Sequence, residues 1–229
     1  MVRTKEKKES SLTSVLIGAL ATVFLGLLLG FIVEVGRTPE FVRNQPDLVE
    51  ASNPLALKFR LGDRQTTDGW RQMIDNAQTG TFRGSSIQLD ESELNGIATQ
   101  YLNFSMGKQQ ALQADEAPTY ALLPETPNFS MMADELQVTI PFDAFIFGRQ
   151  SSGFLVAKGH FEEKGNDSSF VVDDAWINSA RIPAFLARPI LSRLIRSVQE
   201  ISSDSPLIAA LNQVRPVGVK ESELIVAPR

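Results

Sequence analysis

The chain has 229 residues, a formal net charge of −5, one histidine and no cysteine. Thiol catalysis, Cys-ligated zinc and iron–sulfur clusters are therefore excluded, and with His160 as the one histidine so is any multi-histidine metal site. Beyond Arg37 there are 17 Lys and Arg against 24 Asp and Glu, a net of −7, so nucleic acid, which needs a basic surface, is not an expected partner.

Residues 1–11 form a basic tail carrying Arg3, Lys5, Lys7 and Lys8, which the charge bias argued below predicts to be cytoplasmic. Leu12 to Val33 is an uncharged run of 22 residues, LTSVLIGALATVFLGLLLGFIV. At about 1.5 Å per residue it makes about 33 Å of helix, against a hydrocarbon core of about 30 Å. A transmembrane anchor is expected over residues 12–35, with the bilayer as its partner. The Lys/Arg excess before it predicts a cytoplasmic N-terminus and an exported C-terminal domain, periplasmic or extracellular. The rival is a cleaved signal peptide. Its apolar region is shorter, about 7–15 residues, and ends in a small-x-small site. The run here closes on FIVEVGRTPE, which has no such site.

Ser14, Gly18, Thr22, Gly26 and Gly30 recur every fourth position, and Gly26 with Gly30 is a GxxxG. Small side chains let helix backbones approach closely. Gly18, Gly26 and Gly30 are thus candidate contacts for a homodimer or a second membrane protein, against the alternative of ordinary glycine usage in a membrane helix.

Residues 36–54 read as a juxtamembrane linker, punctuated by Pro39, Pro46 and Pro54. One α+β domain is expected over 55–229. Within it, Ala56 to Leu61 reads as a short strand and Thr67 to Gln78 as a helix with Trp70, Met73, Ile74 and Ala77 on its apolar side. Ile87 and Leu89 alternate with polar residues as in a strand. Asp90 then precedes Glu93 by three, a capping-box spacing, and Leu94, Ile97, Ala98, Tyr101 and Leu102 follow on one helix face. Asp90, Glu91 and Glu93 are explained by that helix start, since anions favour a helix N-terminus.

The segment Ser85 to Leu102, with Glu91-Ser92-Glu93-Leu94-Asn95 at its helix start, is similar to membrane-anchored extracytoplasmic proteins of the YpmS-like kind. That resemblance implies one N-terminal span followed by an exported α+β domain. It brings no catalytic residue.

Gly107 to Pro127 reads as a long loop. Asn128 to Met132 and Glu135 to Phe142 read as strands around Ala133-Asp134. Gly153 to Glu163 and Ser168 to Asn178 read as a hairpin turning at residues 164–167. If Lys164 faces Asp167, then Phe161 faces Phe170, Gly159 faces Val172 and Leu155 faces Trp176, all on one apolar face. Lys158 then opposes Asp173 on the other, solvated face, with His160 beside them. In this register Asp174 turns toward the apolar face, where a carboxylate needs a partner. Pro183 to Ser202 is amphipathic, with Ala187, Ile190, Leu191, Leu194, Ile195, Val198 and Ile201 within about 140° of arc. Pro189 is expected near its start or at a kink. A short helix from Asp204 and two terminal strands, Val217 to Val219 and Glu223 to Val226, complete the reading.

The fold class is α+β: one N-terminal transmembrane helix followed by a mostly antiparallel sheet with a few packed helices. No G-x-S-x-G elbow, P-loop or G-x-G-x-x-G occurs, and no cofactor is implied. The leading expectation is a non-enzymatic binding or scaffold domain anchored at the cell envelope, for an apolar or lipid ligand. The alternatives are a tethered hydrolase with an acid site at Asp173 and Asp174, joined by Glu93, and a complex subunit acting through its membrane helix.

Overall fold

The computed structural model describes residues 12–43, 57–63, 86–101, 119–164, 167–201 and 214–228. The helices expected at 67–78 and from Asp204 lie outside these residues, as do the side chains from Arg193 to Ile201.

Helix α1 (Leu12–Gly36) carries the uncharged run and continues three residues beyond it, from Glu34 to Gly36. After it, β1 (Glu40–Val42) pairs in parallel with β2 (Lys58–Arg60). The stretch expected to be a linker therefore begins as a strand of the domain. Strand β3 (Ile87–Leu89) leads into helix α2 (Glu91–Tyr101). Next come β4 (Tyr120–Pro124), β5 (Asn128–Met132), β6 (Glu135–Ile146), β7 (Arg149–Lys164), β8 (Asp167–Ile177) and β9 (Ala180–Ile182). Helix α3 (Ala184–Ile201) and the pair β10 (Val214–Lys220) and β11 (Glu223–Pro228) finish the chain.

The main sheet is antiparallel, in the order β4-β6-β7-β8-β9, with β5 and β4 end to end along the same edge of β6. A second sheet, β10-β11-β3, packs on it. One face of the main sheet carries Leu136, Ile140, Leu155, Ala157, Val172 and Ala175. Sheet β10-β11-β3 and α2 cover one end of it, burying Leu89, Ile97, Val219, Leu224 and Val226. Helix α3 covers the other end through Ala187 and Leu191. Pro189 sits inside α3, because the helix already starts at Ala184. It falls on the exposed side, where Phe185, Leu186 and Arg188 also lie.

The opposite face is apolar at one end and open at the other. Phe59 of β2 lies against Trp176, ring centroids 5.2 Å apart, and Phe41 of β1 lies 4.6 Å from Phe154. Under this cover Gln137 and Thr139 are buried, and Gln137 Nε2 donates to Arg60 O at 2.6 Å. The alternation along β6 thus marks two buried faces, one aliphatic and one hydrogen-bonded.

Two expectations are corrected. Part of the expected loop is β4, and an additional hairpin joins β6 to β7 through the two-residue turn Phe147-Gly148. The β7–β8 register also breaks. Pairing runs as expected from Lys164↔Asp167 to Gly159↔Val172, then slips by one, so that Lys158 faces Asp174 and Val156 faces Trp176. Asp173 is the extra residue of a β-bulge. The slip returns Asp174 to the polar side, where it pairs with Arg181. It also carries Trp176 to the face expected to be solvated, where Lys158 Nζ lies 5.7 Å from its ring centroid and 5.9 Å from that of Phe59.

Gly159 is what permits the bulge. A Cβ there would lie 2.0 Å from Val171 O, a backbone atom that the bulge brings in. Gly159→Ala should therefore destabilise the domain by about 1–3 kcal/mol through overpacking, read as a lower midpoint in urea denaturation, while Gly36→Ala, with open space around it, should leave that midpoint unchanged.

Candidate functional site

The apolar helix and the domain meet at one joint. The last carbonyls of a helix have no partner within it. Asn178 Nδ2 donates to one of them, Val35 O, at 2.6 Å, and Ser179 Oγ donates to Arg37 O at 3.1 Å. The same Asn178 closes the β7–β8 ladder: its N–H donates to Phe154 O and its Oδ1 accepts from Phe154 N, both at 2.8 Å. Asn178 is buried and has a φ of 52°, a left-handed conformation that asparagine tolerates better than most residues. Glu34 and Arg37, paired at 3.1 Å and exposed, mark where the apolar surface of α1 ends. Residues Val15–Gly36 form a span of mean hydropathy 2.6, long and apolar enough to cross a membrane and unburied by the domain. Gly18, Gly26 and Gly30 have open space where a Cβ would stand, so their side of α1 is uncovered.

The sequence-derived acid site is divided. Asp173 Oδ2 lies 2.8 Å from His160 Nδ1, with 43% and 47% of the two side chains exposed. Asp174 turns to Arg181. The adjacent carboxylates thus serve different partners on an open surface, and Glu93 belongs to α2.

A denser polar cluster lies where α2 meets the free edge of β5. Asp90 caps the helix, its Oδ1 accepting from Glu93 N at 2.7 Å, while Glu93 Oε2 accepts from Asp90 N at 3.0 Å. This is the capping box expected from the spacing. Glu91 and Asn95 do something else. Asn95 accepts from Phe129 N at 2.7 Å and donates to Phe129 O at 2.8 Å, the two bonds a neighbouring strand would make. Glu91 Oε2 accepts from Met131 N, and Arg60 donates to Met131 O, each at 2.9 Å. Glu91 Oε1 also accepts from Asp63 N at 2.9 Å and pairs with Arg60 at 3.2 Å. Side chains thereby seal an edge that would otherwise recruit another strand.

No family model, curated protein or solved structure matches this chain. The arrangement is therefore argued from its own geometry. Sequence reasoning missed Asn178, Asn95 and the clamp made by Glu91. An isolated asparagine has no periodic signal, and the partner of Asn178 lies 143 residues away and that of Asn95 lies 34 residues away.

Two outcomes follow. Asn178→Gly keeps the left-handed backbone but loses both side-chain bonds, each worth about 0.5–1.5 kcal/mol net. Limited proteolysis of the detergent-solubilised chain should then cut faster between Gly36 and Pro39. For Glu93, burial lifts the carboxyl above its ordinary 4.5, with the charges of Asp90 and Glu223 adding to the rise and the Asp90 N–H opposing it. A raised folded value means that this group favours folding most below pH 4.5 and loses that contribution as pH climbs through the folded value. Glu93→Gln keeps an acceptor for Asp90 N, so it should melt higher than the native chain at pH 7, and the gap should shrink at pH 4.

Proposed function

We propose that the chain is a single-pass membrane protein in which α1 anchors an extracytoplasmic α+β domain at the cell envelope. The domain acts as a non-enzymatic binding or scaffold module for a partner or an apolar ligand. What carries this reading is the joint at Asn178. A helix destined for cleavage has no use for a hydrogen bond from the folded domain to its last turn. A flexible tether would not have its exit strand, β1, built into a sheet. An anchor that must hold a domain at a set height and orientation needs both.

The lysine and arginine bias supports a cytoplasmic N-terminus. The resemblance to YpmS-like proteins points to the same layout. The uncovered stripe of Gly18, Gly26 and Gly30 leaves α1 free to pack against a second copy or another membrane helix.

Alkaline phosphatase fused after Arg229 should be active in cells, and the mature chain should still begin near Met1. An inactive phosphatase fusion together with a fluorescent cytoplasmic reporter at the same position would reverse the topology. Cleavage within residues 12–36 would remove the anchor.

A further inference from the structure

Beyond the Phe154–Asn178 rung, β8 ends but β6 and β7 continue together to the turn at Phe147-Gly148. At about 3.3 Å per residue this extension runs about 20 Å past the joint. Strand β4 lines its outer edge, Tyr120 opposite Ile146. The main sheet therefore protrudes on the side of the domain where the apolar helix is fastened.

The protrusion has an unusual surface for a domain of net charge −7. Tyr120, Leu122, Ile146 and Phe147 are 64%, 48%, 54% and 74% exposed. Leu122, Tyr120 and Ile146 share one face by strand alternation, and the Tyr120 and Phe147 rings meet edge to face at 5.0 Å. The one charge between Ala144 and Ser152 is Arg149, which is exposed. Phe147 also carries a backbone cost. Its φ of 51° lies in the left-handed region, where a bulky residue is an outlier and asparagine or glycine fits better. Among the described residues, Phe147 meets its own chain through the Tyr120 ring and a hydrogen bond from its N–H to Thr119 O, which leaves most of its apolar surface for a contact outside the domain.

We propose that this tip docks into the boundary between headgroups and acyl chains of the membrane that α1 crosses. Aromatic and aliphatic side chains with a nearby cation, and with no acid among the described residues from Ala144 to Ser152, suit that layer, the cation favouring anionic lipid. The proposal rests on the anchor reading. It gives the domain a second lipid contact, so that anchor and tip together fix its tilt.

The absence of native cysteine allows a direct test. Ser151→Cys, three residues from the turn, and Ser169→Cys, near the opposite end of the sheet, are both exposed sites on the main sheet. Each full-length variant is labelled with an environment-sensitive fluorophore and reconstituted in liposomes of phosphatidylcholine and phosphatidylglycerol carrying shallow nitroxide lipids. The label at 151 should be quenched and the label at 169 should not. Adding Tyr120→Ser and Phe147→Ser should reduce the quenching at 151 severalfold. An unquenched 151 label in protein that resists carbonate extraction overturns the docking and leaves the anchor intact. Release of the protein by carbonate overturns the anchor itself. A blue shift without quenching that grows with protein-to-lipid ratio assigns the tip to contact between copies and overturns the lipid proposal. Quenching that survives the double substitution does so too.

Discussion

The carboxamide of Asn178 bonds in two directions at once. Its oxygen and its backbone N–H finish the β7–β8 ladder at Phe154, and its nitrogen reaches a carbonyl at the end of α1. Because one small planar group makes both connections, a helix that swings away from the sheet gives up the hydrogen bond at Val35 O. The exit strand β1 adds to this constraint, since it is laid against β2 within a few residues of the helix. Phe41 on β1 then reaches Phe154, the residue that Asn178 also holds. Helix, exit strand and sheet are thus joined around one rung.

A second theme is the use of side chains as substitute backbone. The edge of β5 carries unpaired peptide groups, and burying them without partners would cost more than most single packing defects. Asn95, with its amide, answers the N–H and C=O of Phe129, while Glu91 and Arg60 answer those of Met131. Gly62 completes the arrangement. Its N–H donates to Asn128 Oδ1 at 2.8 Å, and a Cβ there would lie 1.9 Å from Phe129 O. The helix α2 therefore packs through its apolar side and reads the strand edge through its polar one.

The regular part of this fold is legible in the sequence. The uncharged run, the capping box at Asp90 and Glu93, and the alternation at Ile87 and Leu89 and along β6 each state a local preference that the tertiary structure keeps. What the sequence hides is irregular. The β6–β7 turn has Phe147 where a turn signal would place asparagine, so the expected strands stop at Phe142 and resume at Gly153 and the hairpin between them goes unread. The bulge at Asp173 leaves no mark except Gly159, and it turns Asp174 away from an apolar face that the uninterrupted register would give it. Gln137 and Thr139 look like a wetted face, because the short strand that covers them lies some 80 residues earlier, at Lys58–Arg60. Of the acid site, Asp173 and Asp174 were visible as residues, but their separate partners depend on that one-residue slip. The joint itself links two positions with no local signature.

The separation of the joint's two halves also orders events in time. Synthesis runs from the N-terminus, so α1 is complete long before Asn178 exists, and 143 residues separate it from Val35. At about 5–20 residues per second, the interval is on the order of ten seconds. During that interval the helix has neither the hydrogen bond that fixes its last turn nor the strands β7 to β9 behind it. The end of α1 is without its bond to the domain early and gains it late. Closing the β8–β9 turn is thus the step that joins the end of the apolar helix to the finished sheet.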